Sequence, residues 1–398
     1  MTDPLGQSQV LPYLFGLSKA GYTITLISFE KQNRFASGRA LIEDLCASNQ
    51  VNWQPLSYTQ RPPVLSTLWD MYRLRKRVID LHSQNSFDLI HCRSYLTALI
   101  GQYVQKRFGV KWIFDMRGFW ADERIDGAIW NLKNPIYRMV YRFFKKKEKQ
   151  CLATADHIIS LTQRAKSIME TWEIPLQRSL PITVIPCCVD IENFNPASIV
   201  DTDKAALREK LGIEPTTTVL SYVGSVGTWY LLPEMVHFFS RWLLKIPNSV
   251  FLFITPDNPS SIMIAADAKG IAADRVIIRS SSRADMPLHI SISDYSLFFI
   301  RPSFSKQASS PTKLGEILAM GIPVICNRGV GDVAESVEGH SVGWVLDALQ
   351  VEEYDRVIAK VDLTAFDATQ IRAAALAQYS LKEGVRQYAG VYQRLIPS

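Results

Sequence analysis

Short apolar runs separated by helical patterns recur along the chain, and the series restarts once, after Asp190. In the first series Thr23–Phe29, Phe87–His91, Val110–Asp115, His157–Leu161 and Ile182–Pro186 read as strands. They are largely unbroken β-branched or aromatic runs, as expected for parallel strands buried on both faces. Helical patterns lie between them, notably Leu65–Ser83, Leu96–Phe108 and Pro135–Thr154. This alternation predicts a doubly wound α/β domain. Beyond a turn-rich linker, Val219–Val223, Val250–Thr255, Arg275–Ile278, Tyr295–Ile300, Pro323–Cys326 and Trp344–Leu346 form a second series. The expected fold class is α/β, with two Rossmann-like domains facing across a cleft. Ligands of such sheets bind at the carboxyl ends of the strands. A length of 398 residues also favours two domains, at about 100–200 residues each.

The amino terminus breaks the pattern. Thr2–Ser8 reads as a turn leading into a helix over Gln9–Lys19, with no strand before it. A Rossmann half opens with a central strand, because its first helix must cross from one. The first N-terminal strand is therefore expected to be missing. The natural protein is expected to begin upstream, with about five to eight apolar β-forming residues before Met1.

Composition excludes several classes. Lys and Arg number 44 against 38 Asp and Glu, a net +6 too small to argue for nucleic acid. The cysteines (Cys46, Cys92, Cys151, Cys187, Cys188 and Cys326) contain no C-x-x-C pair, so they read as reduced, mostly buried thiols. No aspartate-rich metal cluster is visible, and neither a signal peptide nor an apolar run of about 18 residues is found. A cytoplasmic protein without a bound metal or cofactor is expected.

The segment Ser309–Val324, SSPTKLGEILAMGIPV, carries the most information. Ser310 can cap a helix, Pro311 suits its first position, and Gly321 can end it ahead of a strand. Lys313 would then lie in the first turn, where a cation opposes the helix dipole and gains nothing structurally. A bound phosphate would explain it. Glu316, three residues on, shares that face and can accept hydrogen bonds from sugar hydroxyls.

This segment resembles the nucleotide-sugar-binding segment of family-4 retaining glycosyltransferases, which have the glycosyltransferase-B fold. DPLGQSQ (Asp3–Gln9), FDLIH (Phe87–His91) and IPCCVDIENFNP (Ile185–Pro196) extend the resemblance over nearly the entire chain. It implies an acceptor domain over 1–190 and a donor domain over 191–380, with a C-terminal helix at about 381–398 packing back on the first. It also implies that Glu316 binds the donor ribose and that Ser309, Ser310, Thr312 and Lys313 contact its diphosphate, with Gly6 and Gln7 beside it. Two departures stand out: Ala308 replaces a glutamate common in relatives, and the loop from Gly224 to Trp229 lacks their Arg and Lys. Gly224 still follows the first strand of the donor half, and Arg301 and Lys306 are candidates to supply the missing charge.

In the first half, similar enzymes often place a His at the end of the Val110–Asp115 strand, where Arg117 stands instead, while His91 ends the neighbouring strand. A guanidinium cannot act as a base but can bind phosphate or stabilise charge. Asp115 and Asp122 are candidates to take the acceptor proton or orient the acceptor. The candidate catalytic residues are thus Arg117, Asp115, His91 and Lys313. Between Asn131 and Gln150, Ile136, Met139, Val140 and Phe143 repeat at helical spacing, fitting a helix packed on the core with a basic outer face. Lys145, Lys146, Lys147 and Lys149 on that face would dock on anionic membrane, making the protein peripheral on its inner face.

The resemblance implies a retaining, metal-independent transferase that moves a sugar from a nucleotide-diphospho-sugar donor to a hydroxyl acceptor, lipid-linked or in polysaccharide or glycan assembly. Two alternatives share the fold: a non-catalytic nucleotide- or lipid-binding partner subunit, and a sugar-nucleotide epimerase.

Overall fold

A computed structural model describes residues 1–62, 64–174, 179–361 and 366–396. Its contacts divide the chain into two units. The first comprises Met1–Ile125, Trp130–Cys188 and the chain from Leu381 on, and the second comprises Asp126–Ile129 and Val189–Ser380. Residues 397–398 of the C-terminal helix expected at 381–398 lie outside the described residues.

The first unit holds strands β1 (Ile24–Glu30), β2 (Val51–Ser57), β3 (Leu89–Arg93), β4 (Lys111–Asp115), β5 (His157–Ser160) and β6 (Ile182–Val184). Its helices are α1 (Pro4–Gln9), α2 (Leu11–Lys19), α3 (Gln32–Ser48), α4 (Leu65–Asn85), α5 (Tyr95–Phe108), α6 (Trp120–Asp126), α7 (Pro135–Thr154) and α8 (Gln163–Glu170), with Leu381–Leu395 returning at the end. All strand pairs are parallel, but they form two sheets, β1-β2 and β3-β4-β5-β6. Among the described residues no ladder joins β1 to β3, although side chains on both faces tie them together. Ile27 and Phe29 of β1 share an apolar cluster with Ile90 of β3 beneath α4 and α5. Ile24 and Leu89 share another with α2 and the Leu381–Leu395 helix. β1 is only half-buried until Glu30, whereas Trp112 to Asp115 of β4 are wholly buried. Open strand edges explain that difference, since a parallel sheet is normally closed on both sides. Thr2 meets the carboxyl end of β1, its N–H and Oγ1 donating to Glu30 Oε2 at 3.0 and 2.6 Å.

The second unit has one parallel sheet of β7 (Thr218–Val223), β8 (Ser249–Ile254), β9 (Val276–Arg279), β10 (Tyr295–Phe298), β11 (Val324–Asn327) and β12 (Gly343–Leu346), in the order β12-β11-β10-β7-β8-β9. Every residue of β7, β8, β10 and β11 is buried, as their unbroken apolar runs require. The helix Thr312–Ala319 is buried from Lys313 to Ala319 and packs against the helix Ala368–Tyr379. Its start differs by one residue from the expectation. Pro311 is extended (φ −68°, ψ 119°) and occupies the capping position itself, with no side-chain cap. Gly321, at φ +75°, ends the helix as expected.

Candidate active site

In the second unit, the carboxyl end of β7 and the start of the Thr312–Ala319 helix bring two tyrosines, a glycine and a lysine together. Lys313 is 6% exposed, and its Nζ donates to Tyr222 Oη at 3.1 Å. The ammonium lies 3.6 Å from the ring centre of Tyr230 and 4.2 Å from that of Tyr222. Among the described residues no carboxylate is within ion-pair distance. Burial holds the Lys313 ammonium well below its ordinary pKa, with the charge of Glu316 opposing that shift. Gly224 is the close wall of the site, since a Cβ there would stand 3.1 Å from Lys313 Nζ and its φ of +111° suits glycine. The helix start adds backbone N–H groups to which its capping residue, Pro311, offers no side-chain acceptor.

Glu316, 7% exposed, is ion-paired with Arg283, whose guanidinium lies 4.8 Å from the ring of Phe194. Lys306, expected in a loop, is buried, with its Nζ 3.7 Å from the Trp229 ring centre. Arg301 is exposed, its N–H donating to Trp229 carbonyl at 2.8 Å. Ala308 is buried, Ser309 donates its N–H to Lys306 carbonyl at 3.1 Å, and Ser309, Ser310 and Thr312 are half-buried ahead of Lys313.

In the first unit, the ends of β3 and β4 form a charged network. Strand alternation puts His91 and Arg93 on one face, and Arg93 is the register partner of Asp115. Asp115 Oδ2 lies 3.4 Å from His91 Nε2, 3.4 Å from Arg93 Nη1 and 3.2 Å from Tyr388 Oη, and Oδ1 lies 3.8 Å from Arg117 Nη1. His91 Nδ1 meets Tyr392 Oη at 2.8 Å. Burial pushes the Asp115 carboxyl up, but Arg117, His91 and Arg93 more than offset it and hold it at about 2. A carboxyl so acidic is a poor proton acceptor, so Asp115 is a counter-ion rather than the expected base. Asp122 is likewise engaged, accepting from Tyr141 Oη and Lys145 Nζ at 2.8 Å each. Sequence reading missed Arg93, although it lies two residues beyond His91. It also missed Tyr388 and Tyr392, which the C-terminal helix supplies.

Three further expectations need correction. Gly6 lies inside α1, not in a turn, and a Cβ there would stand 2.8 Å from Met1 Cα, so the close approach it permits is to the chain itself. Gln7 is half-buried in the same helix. On α7 the buried residues are Phe144, Glu148, Cys151 and Leu152, whereas Ile136, Met139 and Phe143 are 56%, 65% and 45% exposed. The apolar stripe therefore faces outward. Lys145 instead turns inward to Asp122 and Glu148, leaving Lys146, Lys147 and Lys149 as the outer lysines.

Residues 13–193 match the family model described as Glycosyltransferase Family 4. A D-inositol 3-phosphate glycosyltransferase from Segniliparus rotundus is 24% identical over 291 residues, covering 70% of this chain and 59% of that protein. The chain spans about three fifths of the length of the curated relatives it matches. Sucrose-phosphate synthase from Thermosynechococcus elongatus superposes with a TM-score of 0.72 at 15% identity, covering 96% of this chain and 91% of that one. Anabaena Alr3699/HepE, solved in complex with UDP and glucose, gives 0.68 at 15% identity, covering 98% and 97%. The resemblance to family-4 glycosyltransferases holds, and the fold is glycosyltransferase-B with two Rossmann-like domains.

Proposed function

We propose that this chain, a relative of the family-4 glycosyltransferases with their fold, transfers a sugar from a nucleotide-diphospho-sugar to a hydroxyl acceptor and retains the anomeric configuration. The observation that carries the reading is Lys313, a buried amine with aromatic neighbours and, among the described residues, no carboxylate within ion-pair distance. A buried charge without a counter-ion costs several kcal/mol, and a diphosphate between Lys313, Gly224 and the helix start would neutralise it. In this reading Glu316 accepts from the ribose hydroxyls, Lys306 and Arg301 extend the positive field, and the leaving diphosphate needs no divalent metal. The first unit carries the acceptor, with His91 and Arg117 at its strand ends. The exposed Ile136, Met139 and Phe143, flanked by Lys146, Lys147 and Lys149, support a reading in which this amphipathic face meets anionic membrane and the acceptor is lipid-linked. Among the described residues no helix is long and apolar enough to cross a membrane.

A thermal-shift screen of UDP-, GDP- and ADP-sugars against the parent protein and Lys313→Met tests the donor site. One donor class should stabilise the parent and leave the variant unmoved. Equal shifts in both proteins would remove Lys313 from the site.

A further inference from the structure

We propose that the donor site is proton-linked: the diphosphate binds together with a proton that the Lys313 amine takes from solvent, so affinity falls as pH rises. The inference rests on the donor-site reading above and adds the charge state in which that site is filled. Lys313 Nζ has one hydrogen-bond partner among the described residues, Tyr222 Oη at 3.1 Å, and that hydroxyl spends its own proton on the Ser225 carbonyl. The phenol oxygen can therefore only accept, and it brings no charge, because burial pushes the Tyr222 hydroxyl far above its ordinary range. An ammonium has three N–H donors, so the charged form leaves two of them without a partner in a buried place.

The packed elements do not supply the missing negative charge. On the same helix Glu316 favours the cation, but its carboxylate is ion-paired with Arg283. Asp257, after β8, accepts the Val226 N–H at 2.6 Å, and its charge is felt at Tyr222. Lys306, over the Trp229 ring at 3.7 Å, adds a cation beside Tyr230 rather than an acid. The helix Ala368–Tyr379 meets Gly315 with Tyr379, whose hydroxyl donates to Ser336 Oγ at 3.0 Å. Cys326 of β11 is a thiol that burial pushes up. The helix dipole further opposes a cation in the first turn. The rings of Tyr230 and Tyr222 favour the charged form, but burial outweighs them and holds the amine well below its ordinary pKa.

A nucleotide sugar reverses that balance. Its diphosphate carries two negative charges that do not titrate near neutrality, so a proton gained by the complex must settle on the protein. Gly224 keeps one side of the amine open to it, since a Cβ there would stand 3.1 Å from Nζ. Beside the diphosphate the charged form gains a counter-ion and acceptors for its spare N–H groups, so the amine holds its proton more tightly in the complex. Binding is therefore strongest at pH values where the free amine is already charged. Above them affinity falls about tenfold per pH unit, until the bound amine also loses its proton.

The test is calorimetry of the purified full chain with UDP-glucose, GDP-mannose and ADP-glucose, in buffers matched in pH and differing in ionisation enthalpy. For the sugar nucleotide that binds, the heat should depend on the buffer with a slope of about one proton taken up on the alkaline side. Carbon NMR of the lysine side chains reads the amine directly, the Lys313 signal being the one missing from Lys313→Met. In the free protein that signal should titrate at lower pH than the other lysines, and the bound sugar nucleotide should move it to its charged position. In Lys313→Arg, whose guanidinium stays charged, the binding that remains should take up no proton. Binding without buffer-dependent heat, a Lys313 signal that titrates with the other lysines, or proton uptake that persists in Lys313→Arg would overturn the inference and leave the donor reading standing. Absence of binding by all three sugar nucleotides would remove the donor reading and this inference with it.

Discussion

Lys313 Nζ donates to Tyr222 Oη at 3.1 Å while lying over the ring of Tyr230, so a cation in the helix's first turn is held by π-faces and a hydroxyl rather than by an acid. Cation–π contacts offset part of its desolvation, but not all of it. Stability and binding should therefore part company. Lys313→Met is expected to keep or raise the melting temperature while weakening nucleotide-sugar affinity about tenfold to a hundredfold, the worth of a charged hydrogen bond at roughly 1.5–3 kcal/mol. Glu316→Ala should lose affinity to a similar extent. Calorimetry beside thermal melts checks both, and unchanged affinity in the two variants would remove the donor assignment.

The Asp115 network makes a pH prediction. Its carboxyl sits at about 2 in the folded protein, below the ordinary 3.8. The stabilisation, about 2 kcal/mol, is present above about pH 4 and is lost as pH falls through 2. In Asp115→Asn this part of the acid limb should vanish. At neutral pH the variant should be less stable by about 3–5 kcal/mol, because Arg93 and Arg117 remain buried without their counter-ion. An unchanged acid transition in Asp115→Asn would contradict the network.

The outward stripe of α7 predicts binding to anionic vesicles. Replacing Lys146, Lys147 and Lys149 by Glu should remove at least three favourable contacts of about 1 kcal/mol each, and added salt should weaken the parent. Met139→Asp with Phe143→Asp should reduce binding even at low salt. If the parent never sediments with phosphatidylserine vesicles, the stripe has another role.

Much of this was legible in sequence. The strand runs and helix Pro135–Thr154 follow from unbroken apolar runs and helical spacing, and Lys313 and Glu316 from the chemistry of a helix start. β2 was missed because Asn52, Gln54 and Pro55 break its apolar run, and only its seven-residue register with β1 reveals it. The facing of α7 was misread because two apolar stripes share the helix. Phe144, Cys151 and Leu152 win the core because Glu148, on the same side, finds Lys145 and Tyr95 there. No local signal could bring Tyr388 and Tyr392 beside His91, roughly 300 residues away.

The open edges of β1 and β3 predict that a strand added between them will be stabilising. A designed run of five to seven β-branched residues joined ahead of Met1 would enter beside Glu30, at the carboxyl end of β1. It would pair backbone groups on the facing edges of β1 and β3, each hydrogen bond contributing about 0.5–1.5 kcal/mol. Hydrogen exchange at Ile24–Phe29 and Leu89–Cys92 should slow and the melting temperature should rise. No change in either would show that the two sheets are complete without it.

The most direct test of the transferase reading is product analysis with the purified chain alone. Each nucleotide sugar that passes the thermal-shift screen is incubated with phosphate-bearing and lipid-linked alcohols, in the presence and absence of a chelator of divalent ions. Release of nucleoside diphosphate is followed, and the anomer formed is read by proton NMR. The account predicts a glycoside with the donor's anomeric configuration, formed at nearly the same rate with chelator and abolished in Lys313→Met. An inverted product, or no glycoside from any donor that binds, would contradict it.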